Sequence, residues 1–283
     1  MDHQGHGLSE GDRTYVRKFD DFVTDFASFC DSIKKEHPGL PFFVLGHSMG
    51  GLITSVTAYR HPKLFDGVVL SAPFFGASTG AKPDISIPVV SNVLFWTQCK
   101  VLNNTHIKKK RWILETVSDF FPKLPIVEID NKGLSSDPSV YYRVENDPLH
   151  VKQKMTIRLG AELIRAAEEM RQNFHKIEFP FYIFGGTSDT LCNSEYWDVF
   201  YQTAKTPKEL KHKSFFNGLL HEALNEKEQE QKKVLEQAIE WLVERADKLK
   251  REEKRNKQSF FDSNICIFGL RNVTAIFFVK ELD

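Results

Sequence analysis

The feature that most constrains how this chain can fold is a junction. Four apolar residues, Phe42, Phe43, Val44 and Leu45, run straight into Gly46-His47-Ser48-Met49-Gly50, and residues 52–60 then continue without proline or glycine. The first part has the length and apolar continuity of a strand buried on both faces, and the last part suits a helix. Parallel α/β sheets are built from such strand-turn-helix units. The turn must be sharp, and Gly46 and Gly50 flank Ser48 where a side chain would crowd it. A serine so placed holds its hydroxyl clear of the backbone. The amide of Met49 then points to where an acyl oxygen would gain negative charge, an arrangement that suits an alcohol nucleophile. His47, adjacent to Ser48, is badly placed to be its base and is expected to pack or hydrogen-bond so as to set the turn.

The rest of the chain supports an α/β alternation. Val16, Phe19, Phe22, Val23, Phe26, Phe29 and Ile33 recur at helical spacing over 15–37, and Pro38-Gly39 ends that helix before the junction strand. Residues 65–72 read as the next buried strand, closed by Pro73. Residues 151–175 carry an amphipathic helix, 179–184 a second apolar strand and 209–216 a last one. Residues 226–257 form a long charged helix with Val234, Leu235, Ile239, Trp241, Leu242 and Leu249 as its expected buried side. This divides the chain into a first core part at 1–72, a cap insertion with its following helix at 73–175, and a second core part at 176–257. An apolar tail occupies 258–283. Arg271 and Asn272 interrupt the tail, so it falls short of the ~20 apolar residues a membrane helix needs. A strand pair, a membrane-surface hairpin and an unstructured, aggregation-prone tail all stay open.

Charge excludes some functions. Lys+Arg and Asp+Glu both number 38, a formal net charge of +0, and there is no aromatic-basic motif, so no nucleic-acid partner is expected. The run Lys108-Lys109-Lys110-Arg111 beside Phe95 and Trp96 reads as a solvated charge run or as a rest for anionic lipid. Cys30, Cys99, Cys192 and Cys266 lie far apart with no paired spacing, which suggests neither a zinc site nor a disulfide framework. The first residues have neither a basic nor an apolar leader region, so the expected location is the cytoplasm.

A nucleophilic serine needs a base and an acid that orients it, and in sheets of this kind they follow in the order serine, acid, histidine on loops after later strands. Asp189, in Gly185-Gly186-Thr187-Ser188-Asp189, lies one loop beyond the strand at 179–184. His221 lies one loop beyond the last strand. Asp147, Asp198, His175 and His212 are rivals, but they fall on expected helices or within a strand. No metal or organic cofactor is needed.

Asp2-His3-Gln4-Gly5-His6-Gly7, Gly46-His47-Ser48-Met49-Gly50-Gly51, Ser71-Ala72-Pro73, Asn146-Asp147-Pro148-Leu149, Gly186-Thr187-Ser188-Asp189-Thr190-Leu191-Cys192 and Leu220-His221-Glu222 together resemble the monoacylglycerol lipases. These form part of the serine aminopeptidase-like branch of the α/β hydrolases. The resemblance spans most of residues 1–245 and implies an α/β-hydrolase fold with a mostly parallel sheet and an inserted cap. It places Ser48, Asp189 and His221 at the triad positions and the Met49 amide at one oxyanion donor. The implied reaction is hydrolysis of a monoacylglycerol to glycerol and a free fatty acid, with a monoacylglycerol or similar lipid ester as the implied substrate. In that family the cap carries an apolar entry surface, which implies peripheral membrane contact. Cys192 falls at a pocket-side position whose thiol is reactive in the family; a packed small hydrophobe is the other reading.

Three departures qualify the likeness. The family has strands before its Asp-His-x-Gly-His-Gly loop and a His-Gly loop that donates a second oxyanion amide, so the first strands of the sheet are expected to be missing here. The edge beside 42–45 is then expected to be open. Residues 92–112 look like extra cap sequence, and the tail after 257 has no counterpart. The other readings are a lysophospholipase or general carboxylesterase of the same fold, and a catalytically impaired, truncated form that only binds lipid or partners.

Overall fold

The computed structural model describes residues 1–78, 114–127, 131–152, 154–256, 266–269 and 274–278. Residues 1–18 are turns and loop. Helix α1 follows at Phe19–Glu36, then strand β1 at Phe42–His47, helix α2 at Met49–Arg60 and strand β2 at Gly67–Ser71. A short strand β3, Pro125–Val127, pairs antiparallel with β4, Met155–Thr156. Helix α3 occupies Pro138–Asn146 and α4 Ile157–Asn173. Strand β5 (Phe181–Gly186), helix α5 (Ser194–Thr203), strand β6 (Lys211–Phe216) and helix α6 (Glu228–Asn256) complete the alternation. Two further strands, β7 at Cys266–Gly269 and β8 at Thr274–Phe278, come from the tail.

The main sheet runs in the order β6-β5-β2-β1-β8-β7. Its first four strands are parallel, while β8 is antiparallel to both β1 and β7. Successive side chains of a strand point to opposite faces, so each continuous apolar run supplies two cores. Phe42, Val44, Val68, Leu70, Phe181 and Ile183 pack with α1, α2, α4 and α5 on one face. Phe43, Leu45, Val69, Tyr182 and Phe184 pack with Val234, Ala238, Trp241 and Leu242 of α6 on the other. The result is a three-layer α/β sandwich.

Four expectations change. Helix α1 starts at Phe19, not Tyr15, because Thr14 adopts a positive φ of 57° and the Phe19 amide donates to the buried carboxylate of Glu162 at 3.0 Å, which fixes the first turn. On α6 the buried stripe is Val234, Ala238, Trp241, Leu242 and Ala246, leaving Leu235 and Ile239 exposed. The tail forms a strand pair. The edge of β1 is not open, since β8 covers it from Phe42↔Phe278 to Gly46↔Thr274. The physical reason is the one that made an open edge costly, since a buried strand needs partners for its backbone groups on both sides. Among the described residues no strand precedes β1.

Within the cap interval, α4 packs into the main core through Leu159, Leu163, Ala166, Ala167 and Met170. Leu114, Ile126, Ile157 and Ala161 make a small separate cluster. The apolar run at 85–95 and the basic, aromatic segment at 92–112 lie outside the described residues.

Candidate active site

Ser48 stands between β1 and α2 with φ 52° and ψ −119°, a conformation that non-glycine residues rarely adopt. Three backbone bonds hold it there: its amide donates to Ser71 O at 3.0 Å, and its carbonyl accepts from Leu52 N at 3.2 Å and Phe74 N at 2.9 Å. Gly46 shows why the turn tolerates no side chain at that point. A Cβ there would lie 2.5 Å from Thr54 Oγ1 and 2.6 Å from Gly50 O. Met49 is the first residue of α2, where backbone amides lack intrahelical acceptors and the helix dipole favours negative charge.

Asp189 and His221 come from the loops after β5 and β6. His221 Nδ1 donates to Asp189 Oδ2 at 2.7 Å, and both side chains are buried. Asp189 Oδ1 accepts from the amides of Leu191 at 2.7 Å and Cys192 at 2.9 Å, so the carboxylate is held by three donors. Cys192 lies against this pair, its Sγ forming with an Asp189 oxygen and a His221 nitrogen a cluster no wider than 4.8 Å. Burial pushes the Cys192 thiol well above its ordinary pKa and the charge of Asp189 adds to this, with the Ser48 hydroxyl only partly offsetting them, so the site favours the neutral thiol. The rivals lie elsewhere. Asp198 pairs with Lys213, Asp147 caps the end of α3, and His212 is exposed on β6. His175 lies in a 3-10 turn after α4.

Glu226 and Gly186 hold the histidine loop in place, and neither role has a signal of its own in the sequence. The buried carboxylate of Glu226 accepts from Leu220 N at 2.9 Å, Ser136 N at 2.9 Å and Ser136 Oγ at 2.5 Å, tying the His221 loop to the segment before α3. Gly186 lets the acid and histidine loops touch, because a Cβ there would lie 2.0 Å from Leu219 O and 2.5 Å from Leu220 O. Gly186→Ala is therefore expected to force the loops apart, lowering ester turnover at least tenfold and costing about 1–3 kcal/mol of stability in denaturant titrations. A fully active, equally stable variant would show that the contact is dispensable.

Glu222 faces His47. His47 Nε2 lies 3.1 Å from Glu222 Oε1, an ion-pair distance without the alignment of a straight hydrogen bond, and Nδ1 lies 3.2 Å from Ser71 Oγ. The His47 ring is 4.7 Å from that of His221. Burial alone would lower the His47 pKa, but the charge of Glu222 leaves it raised. Burial alone would raise Glu222, but His47 holds it down at about 2. The stability Glu222 lends is complete above its ordinary 4.5 and is lost as pH falls toward 2. The stability His47 lends is complete below its ordinary 6.5 and is lost as pH rises through its raised value. The pair thus stabilises most between these ordinary values. Glu222→Gln should lose on the order of 3 kcal/mol at pH 5.5, with the deficit shrinking toward pH 2, as urea titrations at several pH values would read. A deficit that does not vary with pH would remove the ion pair as its cause.

Serine hydrolases of the α/β-hydrolase class are built on this plan, with the serine on a strand-to-helix turn and an acid-histidine pair on the loops of later strands. The chain belongs to the family described as Serine aminopeptidase, S33, whose profile matches residues 1–228. It is 31% identical over 245 residues to human monoglyceride lipase, covering 86% of this chain and 72% of that protein. Monoacylglycerol lipase of Mycolicibacterium smegmatis is 29% identical over 243 residues, covering 86% of this chain and 76% of the relative. The crystal structure of Paleococcus ferrophilus monoacylglycerol lipase superposes with a TM-score of 0.66 at 23% identity, over 86% of this chain and 82% of that one, and so bears on the fold.

Proposed function

We propose that this chain hydrolyses monoacylglycerols to glycerol and a free fatty acid, with Ser48 as nucleophile, His221 as general base and acid, and Asp189 as the group that orients the imidazole. The observation that carries the reading is the buried 2.7 Å Asp189–His221 pair beside a serine on a strained strand-to-helix turn, whose neighbour His47 has its ring 4.7 Å from that of His221. With the Nδ1 proton held by Asp189, Nε2 of His221 is the free base. It takes the Ser48 proton as Oγ attacks the ester carbonyl, and the carbonyl oxygen becomes an oxyanion against the Met49 amide. Collapse breaks the bond to glycerol, which leaves with the proton from Nε2. Water then attacks the acyl-serine by the same route, releasing the fatty acid and restoring Ser48.

The choice of acyl glycerol as substrate follows the monoglyceride and monoacylglycerol lipases to which the chain is similar. A lipid ester is presented at an interface, and Phe120 and Phe121, 76% and 65% exposed at the end of the helical stretch 114–120, supply apolar surface for peripheral membrane contact. Among the described residues no helix is long and apolar enough to cross a membrane. The test is a comparison of 2-monooleoylglycerol with oleoyl lysophosphatidylcholine on the full chain. A kcat/KM at least tenfold higher for the monoacylglycerol is expected. Preference for the lysophospholipid would make the protein a lysophospholipase, and folded protein hydrolysing neither would overturn the proposal.

A further inference from the structure

The elbow strand β1 has two sheet neighbours of different origin. On one side lies β2, parallel and joined to it by α2, with register Phe43↔Gly67 through His47↔Ser71. On the other lies β8, antiparallel, with register Phe42↔Phe278 through Gly46↔Thr274. The second pairing spans five consecutive residues and ends two positions before Ser48. Strand β7 backs β8 from Cys266↔Phe278 to Gly269↔Ala275, so a tail hairpin forms the end of the sheet.

We propose that this tail hairpin is a positioning element for the nucleophile, holding β1 from the side opposite β2 so that the turn carrying Ser48 keeps its strained geometry. Of the bonds described above, two brace Ser48 from the β2 side, through Ser71 O and Phe74 N, and the third comes from Leu52 N in α2, so none comes from the β8 side. A positive-φ serine persists only where its surroundings over-determine it. Phe42, Phe43 and Val44 are fully buried in the assembled sheet, and release of β8 would leave β1 an edge strand with a row of unpaired backbone groups beside the turn. Antiparallel pairing needs no crossover, so a tail returning after the long helix α6 can enter this slot directly. Its backbone takes part in the site while the acid and histidine loops stay at the far side of β2.

Two measurements test this. In hydrogen exchange on the unmodified chain, amides of residues 274–278 should be protected to the same order as those of 42–46. Exchange of 274–278 at unfolded-chain rates would overturn the proposal. The second is the fluorophosphonate labelling rate of Ile276→Pro, which breaks the ladder opposite Val44. The rate should fall at least tenfold, with faster exchange confined to β1 and the hairpin and with β5, β6 and α6 still protected. Labelling at the unmodified rate would overturn it. Should Ile276→Pro unfold the whole chain, Thr274→Pro decides, since it opens only the pair beside Gly46 and carries the same two outcomes. The labelling measurement rests on the proposed role of Ser48, whereas the exchange measurement does not. An unlabelled but protected chain would therefore count against the nucleophile and not against the hairpin.

Discussion

Ser48→Ala should leave a folded protein that has lost all but a trace of its ester hydrolysis, with turnover down about a million-fold as when the serine of a well-studied protease triad is removed. The two halves of this expectation have separate physical grounds. Folding survives because the Ser48 side chain makes no capping bond to α2, and alanine occupies the same backbone with the same strain. The bonds that hold the turn, from Ser48 N to Ser71 O and from Phe74 N to Ser48 O, are backbone bonds that the substitution keeps. The neighbouring Cys192 thiol is only weakly polar and loses little with the hydroxyl. Stability should change by under about 1 kcal/mol, and functional residues held in strained settings often gain stability when replaced. Activity fails because no other hydroxyl occupies the turn. Fluorophosphonate labelling of the parent and variant, beside thermal unfolding of both, checks the two halves independently. Labelling retained by the variant would place the nucleophile elsewhere.

The four parallel strands are readable from sequence because each except β6 is a continuous apolar run, and such a run on a chain of this size has few places to go except the middle of a sheet. The candidate triad is readable for a related reason, since Ser48, Asp189 and His221 each follow a strand, and loops at one end of a parallel sheet gather at one place. What stays hidden depends on contacts between residues far apart in the chain. Glu226 looks like an ordinary acid at the start of a helix, and only the fold brings Ser136 to it. Gly186 reads as part of the loop after the strand at 179–184, and its need for an absent side chain arises from Leu219 and Leu220. Leu235 and Ile239 have the spacing of the buried stripe on α6, but the face presented to Val69 and Tyr182 is centred one step aside, on Val234, Ala238 and Trp241. The tail is the clearest case. Its apolar runs are visible, but their place beside β1 is decided by which edge of the sheet is vacant, and a tail sequence carries no mark of that.

Asp189→Asn should lower turnover about 10,000-fold with little change in fold, the loss expected when an orienting carboxylate is made an amide and the histidine is left in the wrong tautomer. The hydrogen bonds here make that outcome specific. Asp189 Oδ1 accepts from the backbone amides of Leu191 and Cys192, which can only donate. An asparagine at this position must turn its carbonyl oxygen to those two donors, so its NH2 group faces His221 Nδ1. That nitrogen must then accept, the ring proton moves to Nε2, and the nitrogen directed at Ser48 is no longer a base. Rotating the amide does not rescue it, because the NH2 group would then meet two backbone N–H groups in a buried site. Aspartate to alanine would instead remove the acceptor for three donors at once and confound activity with stability. The measurement is kcat for monoacylglycerol across pH 6 to 9 together with a melting curve, and an asparagine variant within tenfold of the parent would remove Asp189 from the site.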